Sequence, residues 1–384
     1  MENPKENIVD KIYKLRKNFV IIGLTGRTGS GCTTVAKILQ TQHPEEFKTE
    51  YREINTDPIN NDVRKNRIIY RYIQKNWSPF TVVKASDIIF FYALLQSFDE
   101  FSKSLANSSN KEDGDGKFSE TSTAHSNEIL QDLDKVKDKF EELSVIAKDC
   151  NHFLGTESKD YSKVDIDKFI KLILEDIPDF REELAKALEK SKKILSNELQ
   201  TWGNNIRVYD SIVGSNQDNQ SEHAPSCLAR KINQFIKLIR DHNKRDGNPT
   251  LIAIDALRNP YEVLYFRERY AAFYLMSINT TEQIRKQKLF EQGYRNDEIK
   301  RLDEREGVKK EFKSQYTGLD IDKCIELSDI HITHDGTEYT NNRKLTNQII
   351  TYISLMLHPG LVPPSPIERV MQVAYTAKLN SGCL

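Results

Sequence analysis

Val20-Ile-Ile-Gly-Leu-Thr-Gly-Arg-Thr-Gly-Ser-Gly-Cys-Thr-Thr34 is the stretch on which the reading of this chain turns. A short apolar run stops at a glycine-rich turn, and residues of helical character follow from Thr33 to Leu39. The pattern predicts a buried parallel strand feeding a helix. Set against G-x-x-x-x-G-K-[ST], Gly26 and Gly31 fall at the two glycine positions and Thr33 at the hydroxyl position, which makes the turn a phosphate-binding loop (P-loop). Glycines let the backbone curl until amides from Gly26 through Arg27, Thr28, Gly29, Ser30, Gly31, Cys32, Thr33 and Thr34 can point inward at a phosphate chain. The helix N-terminus adds its dipole. Thr33 is expected to give its hydroxyl to Mg²⁺. One position departs from the pattern: Cys32 stands where a lysine normally reaches the β and γ phosphates. Binding is therefore expected with weakened phosphoryl transfer, because charge developing during transfer loses its nearest cation.

Outward from the loop, strand and helix patterns alternate. Strands are expected at residues 81–85, at Ile206-Arg-Val-Tyr-Asp210, at Thr250-Leu-Ile-Ala-Ile-Asp255, at residues 272–278 and at Ile330-His-Ile-Thr333. Helices are expected at residues 88–98, at 228–243 after a loop at 215–225, and along the charged stretch 282–313. This order predicts an α/β fold, a parallel sheet of the P-loop nucleoside-triphosphate-hydrolase or nucleotide-kinase type with helices on both faces. Residues 105–127 are poor in apolar side chains and are expected to form a disordered loop. Ile129, Leu130, Leu133, Val136, Phe140, Leu143 and Ile146, then Phe180, Leu184, Leu188, Leu195 and Leu199, recur at helical spacing and predict a helical insertion.

The organisation that results has a first part of the α/β domain at 1–104, the insertion at 105–205, and a second part carrying a lid at 206–357. A proline-crowded linker at 358–366 follows, and a last amphipathic helix at 367–384 is marked by Ile367, Val370, Met371, Ala374 and Ala377. At 384 residues the chain is long enough for more than one domain.

Lys plus Arg (56) nearly cancels Asp plus Glu (57), so no whole-chain field draws it to nucleic acid or an anionic membrane, and any anion site must be local. The cysteines, Cys32, Cys150, Cys227, Cys324 and Cys383, are scattered with no Cys-x-x-Cys pair, which fits a reduced cytoplasm. The longest apolar runs fall well short of the ~20 residues that a membrane span requires, so no membrane partner is expected.

Asp255 ends a strand at what would be the carboxyl edge of the sheet, where a carboxylate can hold Mg²⁺ or its water. An aspartate capping the next helix is the alternative. Arg258 follows, and Arg285, Lys286 and Lys288 sit on the charged stretch where a basic lid could fold over phosphates. With Glu282, Glu291, Asp297 and Glu298 interleaved, a solvated helix face is the competing reading.

The loop, Ile254-Asp-Ala-Leu-Arg-Asn-Pro-Tyr-Glu262 and Leu327-Ser-Asp-Ile-His-Ile-Thr-His-Asp-Gly336, taken in that order, resemble the adenylate-kinase and dephospho-coenzyme-A-kinase branch of P-loop proteins. In that branch the late strand and turn lie near the bound base. The tail, Pro363-Pro-Ser-Pro-Ile-Glu-Arg-Val-Met-Gln-Val-Ala-Tyr-Thr-Ala-Lys-Leu-Asn-Ser-Gly-Cys-Leu384, looks like the first helix of a deoxycytidylate deaminase domain. Together they resemble the anti-phage deoxycytidylate deaminases, which join a P-loop module to a zinc deaminase and deplete the deoxycytidine nucleotide pool during infection.

The resemblance implies a nucleoside triphosphate with Mg²⁺ on this chain and Zn²⁺ only in the deaminase domain, of which one helix is expected here. That chemistry needs H-x-E followed by Pro-Cys-x-x-Cys. His43-Pro-Glu45 is the only H-x-E, it leaves the first helix, and it reads as coincidence, so no catalytic residue and no zinc site are expected. The chain would be a truncated regulatory or sensing module, with a homo-oligomer expected. Two alternatives stand beside it. One is an active nucleoside or nucleotide kinase in which Arg27, Lys37 or Arg285 replaces the lysine. The other is a platform for a protein or an inhibitory RNA on residues 105–200, although no basic stripe with interleaved aromatics is present.

Overall fold

The computed structural model describes residues 18–47, 61–110, 120–154, 163–188, 192–214, 220–307, 318–334, 343–358 and 362–380. Among them five strands pair in parallel: β1 (Phe19–Thr25), β2 (Thr81–Lys84), β3 (Thr250–Asp255), β4 (Phe273–Asn279) and β5 (Ile330–Thr333), in the order β2-β3-β1-β4-β5. The helices in chain order are α1 (Cys32–Gln40), α2 (Asn61–Asn76), α3 (Ala85–Leu94), α4 (Phe98–Asn110), α5 (Glu120–Asp134), α6 (Lys137–Cys150), α7 (Lys163–Lys171) and α8 (Ile177–Ala187). After these come α9 (Lys192–Tyr209), α10 (Cys227–Arg245), α11 (Pro260–Arg269), α12 (Glu282–Glu291), α13 (Asn296–Glu306), α14 (Ile321–Glu326), α15 (Arg343–Leu357) and α16 (Pro366–Asn380).

The central strand shows why its sequence is apolar without interruption. Side chains alternate across a strand, and helices cover both faces. Val20, Ile22 and Leu24 of β1 pack with Ala253, Met276 and Ile332 against Val35 and Leu39 of α1 and Ile349 and Ile353 of α15. Ile21 faces the other way and joins Val83, Ile252, Ile254 and Leu275 in a cluster with α3, α10 and α11. That second cluster runs without a break into the insertion, through Phe101, Phe140, Phe180 and Trp202. Phe101 and Phe140 stack with ring centroids 4.6 Å apart, an aromatic contact worth about 1 kcal/mol beyond the area it buries. The insertion thus lies on the sheet, and α8 and α9 stand over the carboxyl end of β2.

The structure corrects two expectations and resolves a third into its parts. Ile206-Arg-Val-Tyr-Asp210 is not a strand: Ile206 to Tyr209 form the last turn of α9. Leu195, Leu199, Trp202 and Ile206 are all buried and follow one helical stripe, which outweighs the short β-like window at its end. The loop expected at 105–127 is helical at both flanks, because Phe98, Phe101 and Leu105 bury one face of α4 and Ile129 does so for α5; residues 111–119 lie outside the described ones. The charged stretch is two helices, α12 and α13, with residues 308–317 outside the description. At the far end α16 forms as expected and leaves Ile367, Val370, Met371 and Val373 exposed. Among the described residues no helix is long and apolar enough to cross a membrane.

Candidate functional site at the carboxyl edge of the sheet

The glycine loop runs from the end of β1 to the start of α1, at the carboxyl edge of a parallel sheet, where α/β folds place their ligands. Gly31 precedes the first turn of α1 with φ 113°, a left-handed conformation that favours glycine, and no side chain caps the helix there. The amides of that first turn are left to face a hollow. A Cβ on Gly26 would come within 2.6 Å of the Ile278 carbonyl oxygen, so the loop can pass this close to β4 only as glycine. The hollow has a volume of about 340 Å³ and is lined by Arg27, Thr28, Gly29, Gly31, Cys32, Thr33, Thr34, Asp255, Arg258, Lys288, Gln292 and His334.

β3 is hydrogen-bonded to β1 with Leu24 opposite Asp255, and this register delivers the carboxylate to the loop. The Thr33 hydroxyl lies 3.5 Å from Asp255 Oδ2. A hydroxyl and a carboxylate so placed beside inward-facing amides form the donor set that a magnesium-bound phosphate chain would use. Burial raises the Asp255 carboxyl above the usual carboxylate range, against the opposing pull of Arg258 and Lys84. A divalent cation would reverse that upward shift.

Cys32 is buried, its Sγ 3.7 Å from Ser30 Oγ. Burial, helped by the nearby Asp255 charge, pushes its thiol up to about 12, so the side chain is neutral and supplies no cation. The basic residues singled out from sequence take different positions. Arg27 turns outward to Asp322 at 3.0 Å, and Arg258 reaches Glu306 at 3.1 Å. Lys288 lines the hollow, and burial lowers its proton affinity. Arg285 is the exception to a solvated lid face. It is 2 % exposed, and it donates to Glu282 at 2.9 and 3.0 Å, to Asp303 at 2.7 and 2.8 Å and to the Thr28 carbonyl at 3.3 Å. Its guanidinium ties α12 and α13 to the back of the loop.

Two contributors are not among the candidate site residues read from the sequence. Glu306, 3 % exposed at the end of α13, accepts hydrogen bonds from the Thr28 amide at 3.2 Å on each oxygen and from the Thr28 hydroxyl. Glu291 and Asp297 on the same stretch are exposed, and nothing local distinguishes Glu306 from them. His334, just after β5, is buried against the loop, 3.4 Å from where a Gly31 Cβ would stand. The late strand and turn had marked this neighbourhood, but Asp335 and Gly336 lie outside the described residues.

A larger cavity of about 700 Å³ adjoins the hollow and shares Thr33, Asp255 and Arg258 with it. Its other walls include Lys37, Lys84, Arg181 of α8 and Arg207 of α9. Arg181 pairs with buried Asp87, and Arg207 pairs with Glu262 at 2.8 Å. His43 and Glu45 face solvent 3.3 Å apart, away from this edge. Among the described residues no group of three or more His, Cys, Asp or Glu side chains gathers as metal ligands. Comparison with protein-family models, curated proteins and solved structures finds no match to this chain.

Proposed function

We propose that this chain is a nucleotide-binding module that holds a phosphate chain and Mg²⁺ on the glycine loop and serves as the regulatory or sensing part of a deoxycytidylate deaminase. The observation that carries the nucleotide site is the meeting of Thr33 and Asp255, 222 residues apart in sequence, at 3.5 Å across a loop whose amides face a hollow. Thr33 and Asp255 would hold the metal, Gly29 and Gly31 to Thr34 would cradle the phosphates, and Arg258 and Lys288 would supply positive charge, while the Ser30 amide is taken by the Arg27 carbonyl. Mg²⁺ would neutralise the phosphate charge there. A neutral Cys32 thiol favours binding over transfer.

The deaminase half of the proposal rests on the tail resemblance, and the exposed apolar residues of α16 are compatible with a partner surface. Thermal unfolding with ATP, GTP, dCTP and dTTP, each with and without Mg²⁺, tests the nucleotide site. A true ligand at about 100 times its Kd should add about 2.7 kcal/mol, more with Mg²⁺ than without. Indifference to all four would overturn the proposal.

The 700 Å³ cavity favours a second reading, an active kinase, because it would place an acceptor beside the metal ligands Thr33 and Asp255. Incubation with labelled ATP and a panel of nucleosides and monophosphates decides between the two. Transfer of label supports the kinase, and binding without transfer supports the sensor.

A further inference from the structure

The geometry points to Glu306 as an internal stand-in for the terminal phosphate of a nucleotide, so that the loop distinguishes triphosphates from diphosphates. This inference rests on the nucleotide site proposed above.

The placement of Thr28 begins the case. In a loop of this kind the amides leading into the helix, here Cys32 to Thr34, would hold the phosphates nearer the nucleoside. Thr28 lies at the other end, toward which a longer phosphate chain extends. Its amide is already turned to an anion, the Glu306 carboxylate, at 3.2 Å. The Thr28 hydroxyl donates to the same group, and Arg258 donates to the oxygen that the hydroxyl also meets, Oε1, at 3.1 Å. An amide, a hydroxyl and a guanidinium converging on one anion are the donors a phosphate would recruit. Here a side chain of the protein has them.

The carboxylate is also firmly held. Glu306 is 3 % exposed, and the helix that ends in it is fastened by Arg285, which grips Asp303 of α13 and the Thr28 carbonyl together. Thr28 is thus bound through its amide, its hydroxyl and its carbonyl by the α12–α13 pair. A nucleoside diphosphate seated on the amides of Gly29 and of Gly31 to Thr34 leaves Glu306 in place; the Ser30 amide is held inside the loop by the Arg27 carbonyl at 2.9 Å. A triphosphate brings a further negative charge toward the same donors, and two anions at that range repel inside a partly dry site. The third phosphate must displace Glu306, and displacement frees the end of α13. Phosphate count is then converted into a helix movement on the outer face of the site.

Calorimetry of the full chain with Mg²⁺ and the pairs ADP/ATP and dCDP/dCTP, repeated on Glu306→Gln, tests this. The variant keeps the shape and loses the charge. Expected is a gain of about tenfold or more in triphosphate affinity, with diphosphate affinity changed by less than about twofold. Hydrogen exchange on the wild-type chain gives an independent readout that needs no variant: the α13 amides should exchange faster with the bound triphosphate than with the diphosphate. Equal changes for both nucleotides, or equal α13 protection by both, overturn the role of Glu306 while leaving the nucleotide site standing. No binding of any of the four to either protein, with unfolding curves showing both folded, overturns the nucleotide site and this inference with it.

Discussion

The two ends of the glycine loop differ in what faces them. At the helix end, the Thr33 hydroxyl is exposed to the hollow and meets Asp255, a carboxylate whose charge burial disfavours. At the strand end, the Thr28 amide and hydroxyl are occupied by Glu306, which Arg258 already compensates. On the proposed reading one end would gain a cation and a ligand, whereas the other already contains an anion of its own. The difference shows that anion-binding backbone is not by itself a vacant site. Whether it receives phosphate depends on which side chain packing has brought there.

The comparison breaks most easily at Asp255. Asp255→Asn should lower affinity for a magnesium-bound nucleotide about 100-fold, close to 2.7 kcal/mol, and abolish the dependence on Mg²⁺, as read by calorimetry with and without the metal. The same variant should raise the urea midpoint of the ligand-free chain. Burial raises the Asp255 proton affinity, so its contribution to stability is greatest below the unfolded carboxyl value and is lost as pH rises through the folded one. Burial disfavours the charged carboxylate, and asparagine avoids that cost. A variant that lost stability and kept its Mg²⁺ response would mean that Asp255 only caps the following turn.

A smaller effect is expected at Gly31. Its φ of 113° strains any side chain, so Gly31→Ala should cost about 1–2 kcal/mol in urea unfolding and weaken nucleotide binding by shifting the loop from the conformation that shapes the cradle. An unchanged midpoint would show that the loop adopts another conformation in solution.

Cys32→Lys sharpens the contrast by adding the missing cation between the two ends. About fivefold tighter ATP binding is expected, with label transfer becoming detectable, since a lysine stem can pass along the apolar wall and bring its ammonium to the hollow. No gain would indicate that Arg258 or Lys288 already fills that electrostatic role.

The smallest expected effect is alkaline. Because burial pushes the Cys32 thiol to about 12 from its ordinary 9.0, its share of stability is complete below about pH 9 and is lost as pH rises toward 12. Iodoacetamide should accordingly label Cys32 of the folded chain far more slowly at pH 8 than that of the urea-unfolded chain. Equal rates, measured by mass spectrometry of the Cys32 peptide, would place the thiol in contact with water.

Much of the architecture was legible because its signals are local. β1 and β3 are apolar runs of strand length bounded by turns, β5 is a short alternation of Ile with His and Thr, and the glycine spacing with Thr33 marks the loop that joins β1 to α1. Asp255 was singled out because a carboxylate at the end of a buried strand is unusual enough to notice. The misread strand at Ile206 to Asp210 shows where such windows fail. A window with Ile206, Val208 and Tyr209 between polar residues looks alike in a strand and in the last turn of an amphipathic helix, and only the stripe from Leu195 onward separates them. Arg285 was misplaced for a related reason. A charged helix with alternating signs gives no local clue to which guanidinium will be drawn inward, and here the choice was made by Asp303 and the Thr28 carbonyl.

By itself the sequence determined the parallel α/β sheet, the turn of glycines at the end of its first strand and the absence of a lysine within that turn. Each depends on residues adjacent in the chain, through backbone freedom and the period of burial. Tertiary structure alone decided that Thr33 would meet Asp255 and that Thr28 would meet Glu306 across 278 residues. Those contacts depend on strand register and on where α12 and α13 come to rest. Both are set by packing summed over the whole core and cannot be read from any single stretch of the chain.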